Sequence, residues 1–135
     1  MLTRLLYKIL TFKTKVVRFR DAKLELFLAD SLPKQILGLM HRSSLAQTQG
    51  MLFTFSSNAR HGIWMYHMNF AIDCIWIGER GDVVDLIANI KPCKGMLSCP
   101  TYYPSANAKY VLELKAGAAK RLGIRSGTNL SPVLG

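Results

Sequence analysis

Acidic residues are scarce in this 135-residue chain: eight Asp and Glu stand against eighteen Lys and Arg, a formal charge of +10. The imbalance leaves a long-range field that attracts nucleic acid, anionic membrane or acidic protein. Cysteine is limited to Cys74, Cys93 and Cys99, an odd number at wide spacing that does not describe a secreted disulfide scaffold. No apolar run is long enough to span a bilayer. Lys8 interrupts the stretch of Leu5, Leu6, Ile9 and Leu10, and no small-residue cleavage site follows, so a secretory signal is not read there. The expectation is a soluble, cytoplasmic protein with no transmembrane segment. Also missing are a phosphate-cradling glycine loop before a helix, a nucleophile elbow and a helix with paired metalloprotease histidines. No repeat, low-complexity tract or linker divides the chain. Its length and its half share of hydrophobic residues suit one domain with a core that needs no metal or disulfide staple.

What is present is a change of hydrophobic period. Leu2, Leu5, Leu6, Ile9 and Leu10 recur at the spacing of a short amphipathic helix. Residues 1–15 are therefore read as a basic extension and 16–135 as a single β-rich domain. The helix could lie on a membrane, in a partner's groove or on its own domain. Val17 and Phe19, then Leu24, Leu26 and Leu28, alternate around a break at Asp21 and Ala22, which predicts strand, tight turn and strand. Asp30, Ser31 and Pro33 predict a short helix over 32–39 that closes around Gly38. Gly50 opens a β-like run through Phe55, 56–61 is polar and loop-like, and 63–65 is a further apolar block. Two β-branched runs, 72–77 and 83–90, predict a hairpin at the centre of the sheet. Residues 91–108 carry Pro92, Gly95, Pro100 and Pro104 without any period, and long connections of this kind are often functional. A strand over 110–114, a short helix over 116–122 ended by Gly123 and an extended piece from Gly127 complete the chain. The fold class is α+β, mostly β: a small mixed or antiparallel sheet, drawn as a partly closed barrel with two short helices.

Most acids take structural places in this pattern. Glu25 and Glu113 alternate onto strand exteriors, Asp30 caps a helix, and Glu79 and Asp82 occupy a turn. Asp73 differs, because it stands in an apolar strand where a buried carboxylate needs hydrogen-bond partners. It is read first as a tie for backbone amides, and second as a ligand-binding or acid–base group. His41, His61 and His67 with the cysteines lack the spacing of a chelate, so no metal and no cofactor is expected. Cys74 is expected in the core. Cys93 and Cys99 flank a short loop and could close a disulfide, two reduced thiols being the expectation for the cytoplasm.

Basic residues gather at both ends: Arg4, Lys8, Lys13, Lys15, Arg18 and Arg20 at one, and Lys109, Lys115, Lys120, Arg121 and Arg125 at the other. If the ends converge, they form one surface that holds phosphates without reading sequence and weakens steeply with salt. Tyr7, Phe12, Tyr102 and Tyr103 could stack on exposed bases or belong to the core.

Several blocks in one register carry a resemblance: residues 24–30 (Leu-Glu-Leu-Phe-Leu-Ala-Asp), 38–42 (Gly-Leu-Met-His-Arg), 50–53 (Gly-Met-Leu-Phe), Trp64-Met65 through Ile72-Asp73, 99–102 (Cys-Pro-Thr-Tyr) and 110–113 (Tyr-Val-Leu-Glu). Over about 16–131 the chain resembles domain of unknown function 192, the bacterial and archaeal ACR family. The resemblance implies a mostly β domain with short helices and no established reaction. Tyr66 and His67 stand where many members have Lys and Asn, and Ala71 replaces a common Pro, so a ligand site built on that segment is expected to be altered here. Gly127-Thr128-Asn129 replaces a usual Gly-Asp turn, which is expected to weaken that turn.

The leading expectation is a non-catalytic basic domain that contacts structured RNA and is ribosome-associated. The alternative is a small-ligand or enzymatic pocket formed by Arg42, Trp64, His67, Asp73, Cys99 and Tyr102. Attachment to an anionic membrane through residues 2–12 is a third expectation, and no catalytic residue is assigned.

Overall fold

Strand β6, Ala108–Lys115, is buried on both faces of its sheet: Val111 and Glu113 point to one side, Leu112 and Leu114 to the other, and all four are buried. A strand covered on both faces loses the apolar–polar alternation of a half-exposed one. The computed structural model describes residues 2–135. In it β6 joins β1 (Thr14–Phe19), β2 (Ala22–Ala29), β3 (Gln49–Ala59), β4 (Ile72–Ile77) and β5 (Val83–Ile90) in one sheet of order β1-β2-β3-β6-β4-β5. β2 and β3 run parallel, and the other neighbouring pairs run antiparallel. The α+β, mostly β class holds, but the sheet stays open with β1 and β5 as its edges, so the partly closed barrel is corrected. The β4–β5 hairpin forms as expected. It lies to one side rather than at the centre, because β6 inserts between β3 and β4.

Helix α1, Leu2–Ile9, precedes the sheet, and α2, Leu32–Leu37, lies in the crossover from β2 to β3. Pro33 sits in the first turn of α2, where its missing N–H costs nothing. Helices α3, Ala118–Leu122, and α4, Ser131–Leu134, follow β6. Gly123 closes α3 with φ 70°, a left-handed conformation that glycine adopts without strain. Two helical elements beyond the two expected, α1 aside, are therefore α4 and a 3-10 turn at Met96–Ser98. The extended piece expected after Gly127 is instead a single bridge, Asp82 to Asn129, followed by α4. Its turn is not weakened: Thr128 Oγ1 accepts from Arg125 N at 3.0 Å, and Asn129 Nδ2 donates to Asp82 Oδ1 at 3.0 Å. The polar segment after Phe55 continues β3 to Ala59 past a bulge, rather than forming a loop.

One face of the sheet packs Leu26, Leu52, Ile75 and Leu112 against Ala119 and Leu122 of α3 and Val133 of α4. The other packs Met51, Phe53, Cys74, Trp76 and Val111 against Leu39, Leu45, Met65 and Met68 from the connections. Each large side chain fully buried in this way contributes about 1.5–3 kcal/mol. A Cβ at Gly50 would stand 2.6 Å from Leu114 Cδ2 and 2.9 Å from the Glu113 carbonyl oxygen, so glycine is required there.

Asp73 on β4 ties the first face together. Its Oδ1 accepts from the Asn89 amide at 2.9 Å, and its Oδ2 accepts from Gly117 and Ala119 at 3.0 and 2.9 Å. One fully buried carboxylate thus joins β4, β5 and the start of α3. Cys93 and Cys99 are joined in a disulfide, which corrects the expected pair of thiols, while Cys74 is free and buried as anticipated. The six-residue separation already permitted closure, and the 3-10 turn between the two cysteines returns the chain on itself. No helix among the described residues is long and apolar enough to cross a membrane.

Asp73→Ala leaves three buried donors without their acceptor, and is expected to cost about 3–4 kcal/mol. Urea denaturation checks this, and a loss below about 1 kcal/mol would contradict the tie.

Candidate functional site

The second face of the sheet leaves a gap. A cavity of about 330 Å³ lies between that face and its cover. Its walls are residues 35–40 from α2 and the turn after it, Phe53 and Phe55 of β3, residues 62–65, Met68 and Ile72. Thr3 of α1 closes part of the rim. Phe53 and Phe55 lie with their rings nearly parallel, centroids 6.2 Å apart, and Phe55 stacks on His61 at 3.8 Å. The lining is therefore apolar and aromatic, in the manner of small-molecule pockets.

Among the described residues, Glu113 is the one ionisable residue that lines this cavity. Its place follows from the strand register: it faces Met51 of β3 and Cys74 of β4, on the same side as Val111. Only 6% of its surface is exposed. Burial alone pushes its pKa up to about 8, with no cation or hydrogen-bond donor to offset the lost water. The carboxyl is consequently mostly protonated at neutral pH. Burial first, and the neighbouring Glu113 next, push the Cys74 thiol well above its ordinary range, so it stays a neutral core thiol. The expected exterior position of Glu113 is corrected, because β6 has no exterior between Val111 and Leu114. The signal was in the sequence: Val111 shares a face with Glu113, and apolar residues of both parities surround it.

The pocket residues read from the sequence do not meet. Trp64 lines the cavity, half-exposed at its rim. Arg42 lies instead over the rings of Phe27 and Phe12, at 4.2 and 5.6 Å. His67 packs at a tilt against Tyr66 and His41, with ring centroids at 3.9 and 4.7 Å. Asp73 faces the opposite side of the sheet, committed to backbone amides. Cys99 is held by Cys93. Tyr102 forms a bridge with Ile63, its amide donating to the Ile63 carbonyl at 2.8 Å.

His41 and His67 both take left-handed backbone conformations, φ 67° and 60°, and the His41 amide donates to the His67 carbonyl at 2.9 Å. Burial first, then His67 and Arg4, hold the pKa of His41 below its usual range. Its ring meets Thr3 Oγ1 at 3.1 Å and packs on Tyr7 at 5.8 Å, which fastens α1 beside the cavity. Leu6 and Leu10 are half-buried, whereas Leu2, Leu5 and Ile9 remain exposed. The amphipathic helix therefore rests on its own domain with part of its stripe uncovered.

The basic residues line several clefts, one of which brings the two ends of the chain together. Arg20, Lys120 and Arg121 line one cleft, where Arg20 Nη1 donates to the Leu122 and Gly123 carbonyls at 3.0 and 3.1 Å. Arg4 and Lys8 line a separate cleft with His41 and His67. Lys115 lies beside Ser43 and Phe70 in a third. Lys15 donates to the Leu134 carbonyl at 3.1 Å, and burial lowers its pKa. Lys13, Arg18 and Arg125 are exposed, and Lys109 is half-buried at the far end of β6 from Lys115. Among the described residues, no cluster of three or more potential metal ligands forms.

A family model described as Uncharacterized ACR, domain of unknown function 192, matches residues 15–132, which leaves α1 outside it. The chain is similar to a UPF0127 protein of Pyrococcus furiosus, 29% identical over 120 residues that cover 85% of this chain and 92% of that one. It is similar in structure to a proposed transcription regulator from Sinorhizobium meliloti, with TM-score 0.82, 28% identity and coverage of 92% of this chain and 97% of that one. A protein of unknown function from Novosphingobium aromaticivorans matches with TM-score 0.75, 25% identity and coverage of 89% and 84%.

Glu113→Gln is expected to stabilise the protein above pH 5. Because the folded pKa lies near 8 and the reference value at 4.5, burying this carboxyl carries no ionisation penalty below the lower value. The cost grows across that window and levels off above it, at about 5 kcal/mol. Thermal melts of both proteins at pH 4, 7 and 9 check this, and a difference independent of pH would contradict it.

Proposed function

The chain belongs to the Uncharacterized ACR family, and from that premise we propose that it is a small-ligand-binding domain whose ligand occupies the cavity above Glu113. The observation that carries the proposal is one carboxyl, 6% exposed, its oxygens open to an apolar cavity of about 330 Å³ and without a hydrogen-bond partner among the described residues. A buried polar group costs free energy unless something satisfies it, and a ligand does so when it binds. The disulfide between Cys93 and Cys99 favours an oxidising compartment over the cytoplasm expected from the sequence.

A second reading, contact with structured RNA or the ribosome, is favoured by the cleft of Arg20, Lys120 and Arg121. The single ion pair among the described residues is Lys34 with Asp30 at 3.9 Å, so these cations are not neutralised by carboxylates. Asp21 shares the cleft, and Arg20 and Arg121 spend donors on backbone carbonyls, which leaves Lys120 and the remaining guanidinium N–H groups to phosphates.

Indole serves as a probe for the first reading. Amide NMR is expected to show saturable shifts at Gly38, Phe53, Trp64 and Glu113, while shifts spread over α3 or linear in concentration would contradict the pocket. For the second reading, Lys120→Gln with Arg121→Gln is expected to weaken RNA binding and to flatten the log–log salt dependence by about 2. Salt-independent binding, or sedimentation in extract indifferent to ribonuclease, would remove it.

A further inference from the structure

We propose that the cavity selects an apolar compound ending in a protonated amine, its ammonium against the Glu113 carboxylate and its body among Phe53, Phe55 and Trp64. The inference rests on the small-ligand reading and names its ligand class. Two polar side chains of the lining are already engaged: Thr3 with His41, and Gln35, whose Nε2 donates to the Ala29 and Thr54 carbonyls at 3.2 and 2.8 Å. Among the described residues, Glu113 and the indole N–H of Trp64 are the lining side-chain groups left without a hydrogen-bond partner; Glu113 alone carries charge, and once ionised it accepts and does not donate.

An organic anion would need a cation in the lining, because the uncharged indole N–H of Trp64 does not offset a negative charge beside Glu113. Arg4, Lys8, His41 and His67 line the adjoining cleft, beyond Thr3 and Met40, and not the cavity itself. An ammonium supplies the donors and the charge that Glu113 lacks, and an unpaired carboxylate in this setting is far more costly than a paired one. The aromatic faces of Phe53, Phe55 and Trp64 add attraction for a cation, because ring quadrupoles are negative on their faces. The +10 charge of the chain opposes any cation at long range, so selection depends on the short-range contacts inside the cavity.

Proton balance fixes the pH behaviour. The amine enters protonated, Glu113 arrives protonated below its pKa of about 8, and forming the ion pair sends one proton from Glu113 to solvent. Affinity therefore rises about tenfold per pH unit up to that value, then levels off. The groups facing Glu113 are Met51 of β3, which does not ionise, and Cys74 of β4, whose buried thiol stays neutral over this range. The parts of α1 and α2 that line the cavity contribute no ionisable side chain.

Calorimetric titration of the full chain with phenethylamine, 2-phenylethanol and phenylacetate at pH 6 and pH 8, in buffers of different ionisation heat, tests the proposal. Phenethylamine is expected to bind at least about tenfold more tightly than the alcohol at pH 8, and to release one proton at pH 6. Glu113→Gln is expected to lose both the preference for the amine over the alcohol and the proton release at pH 6. Equal or tighter binding of the alcohol or of phenylacetate would overturn the amine assignment while leaving the pocket standing. Failure of all three probes to bind would overturn both.

Discussion

Insertion of β6 between β3 and β4 is the constraint on which the rest of the structure depends. A strand paired on both edges and covered on both faces has no solvent side, so each of its side chains between Val111 and Leu114 is placed in one of two cores. Three of these residues are apolar and contribute to packing. The fourth, Glu113, is carried into the second core by the same pairing that seats its neighbours, and the strand cannot turn it outward without turning Val111 outward as well. A carboxyl is thus held against an apolar cavity by backbone hydrogen bonds that do not involve it.

The two buried acids show how context divides one chemistry into two roles. Asp73 and Glu113 lie on adjacent strands, Asp73 across from Leu114 and Glu113 across from Cys74, and they face opposite sides of the sheet. Asp73 collects three backbone N–H donors and fastens two strands to a helix. Glu113 collects none, and burial raises its pKa. A buried carboxylate with donors is a structural tie, whereas one without them opens toward whatever fills the cavity.

Much of the fold was legible in the chain. The β1–β2 hairpin follows from alternation around Asp21, α2 from Pro33 and Gly38, and α3 from the glycine that ends it. Strand order was not legible, because β6 pairs with segments far away in sequence, and local periodicity carries no record of such partners. The same gap explains the site. Glu113 was placed outward by a rule for half-exposed strands, and only the apolar Val111 on its face argued otherwise. Trp64 was found, while Arg42, His67, Cys99 and Tyr102 went to ring packing, the disulfide and a bridge beside the cavity, because proximity in sequence does not fix where side chains point. Net charge was legible and its distribution was not: the cations spread over several clefts, since α3 and α1 pack at different parts of the sheet.

The state of the Glu113 carboxyl links fold to function. A ¹³C NMR titration of the side-chain carboxyl, assigned by its disappearance in Glu113→Gln, reads that state directly. The account predicts a midpoint near pH 8. A midpoint near 4.5, the ordinary value for a glutamate in water, would contradict it, because the carboxyl would then be solvated or paired.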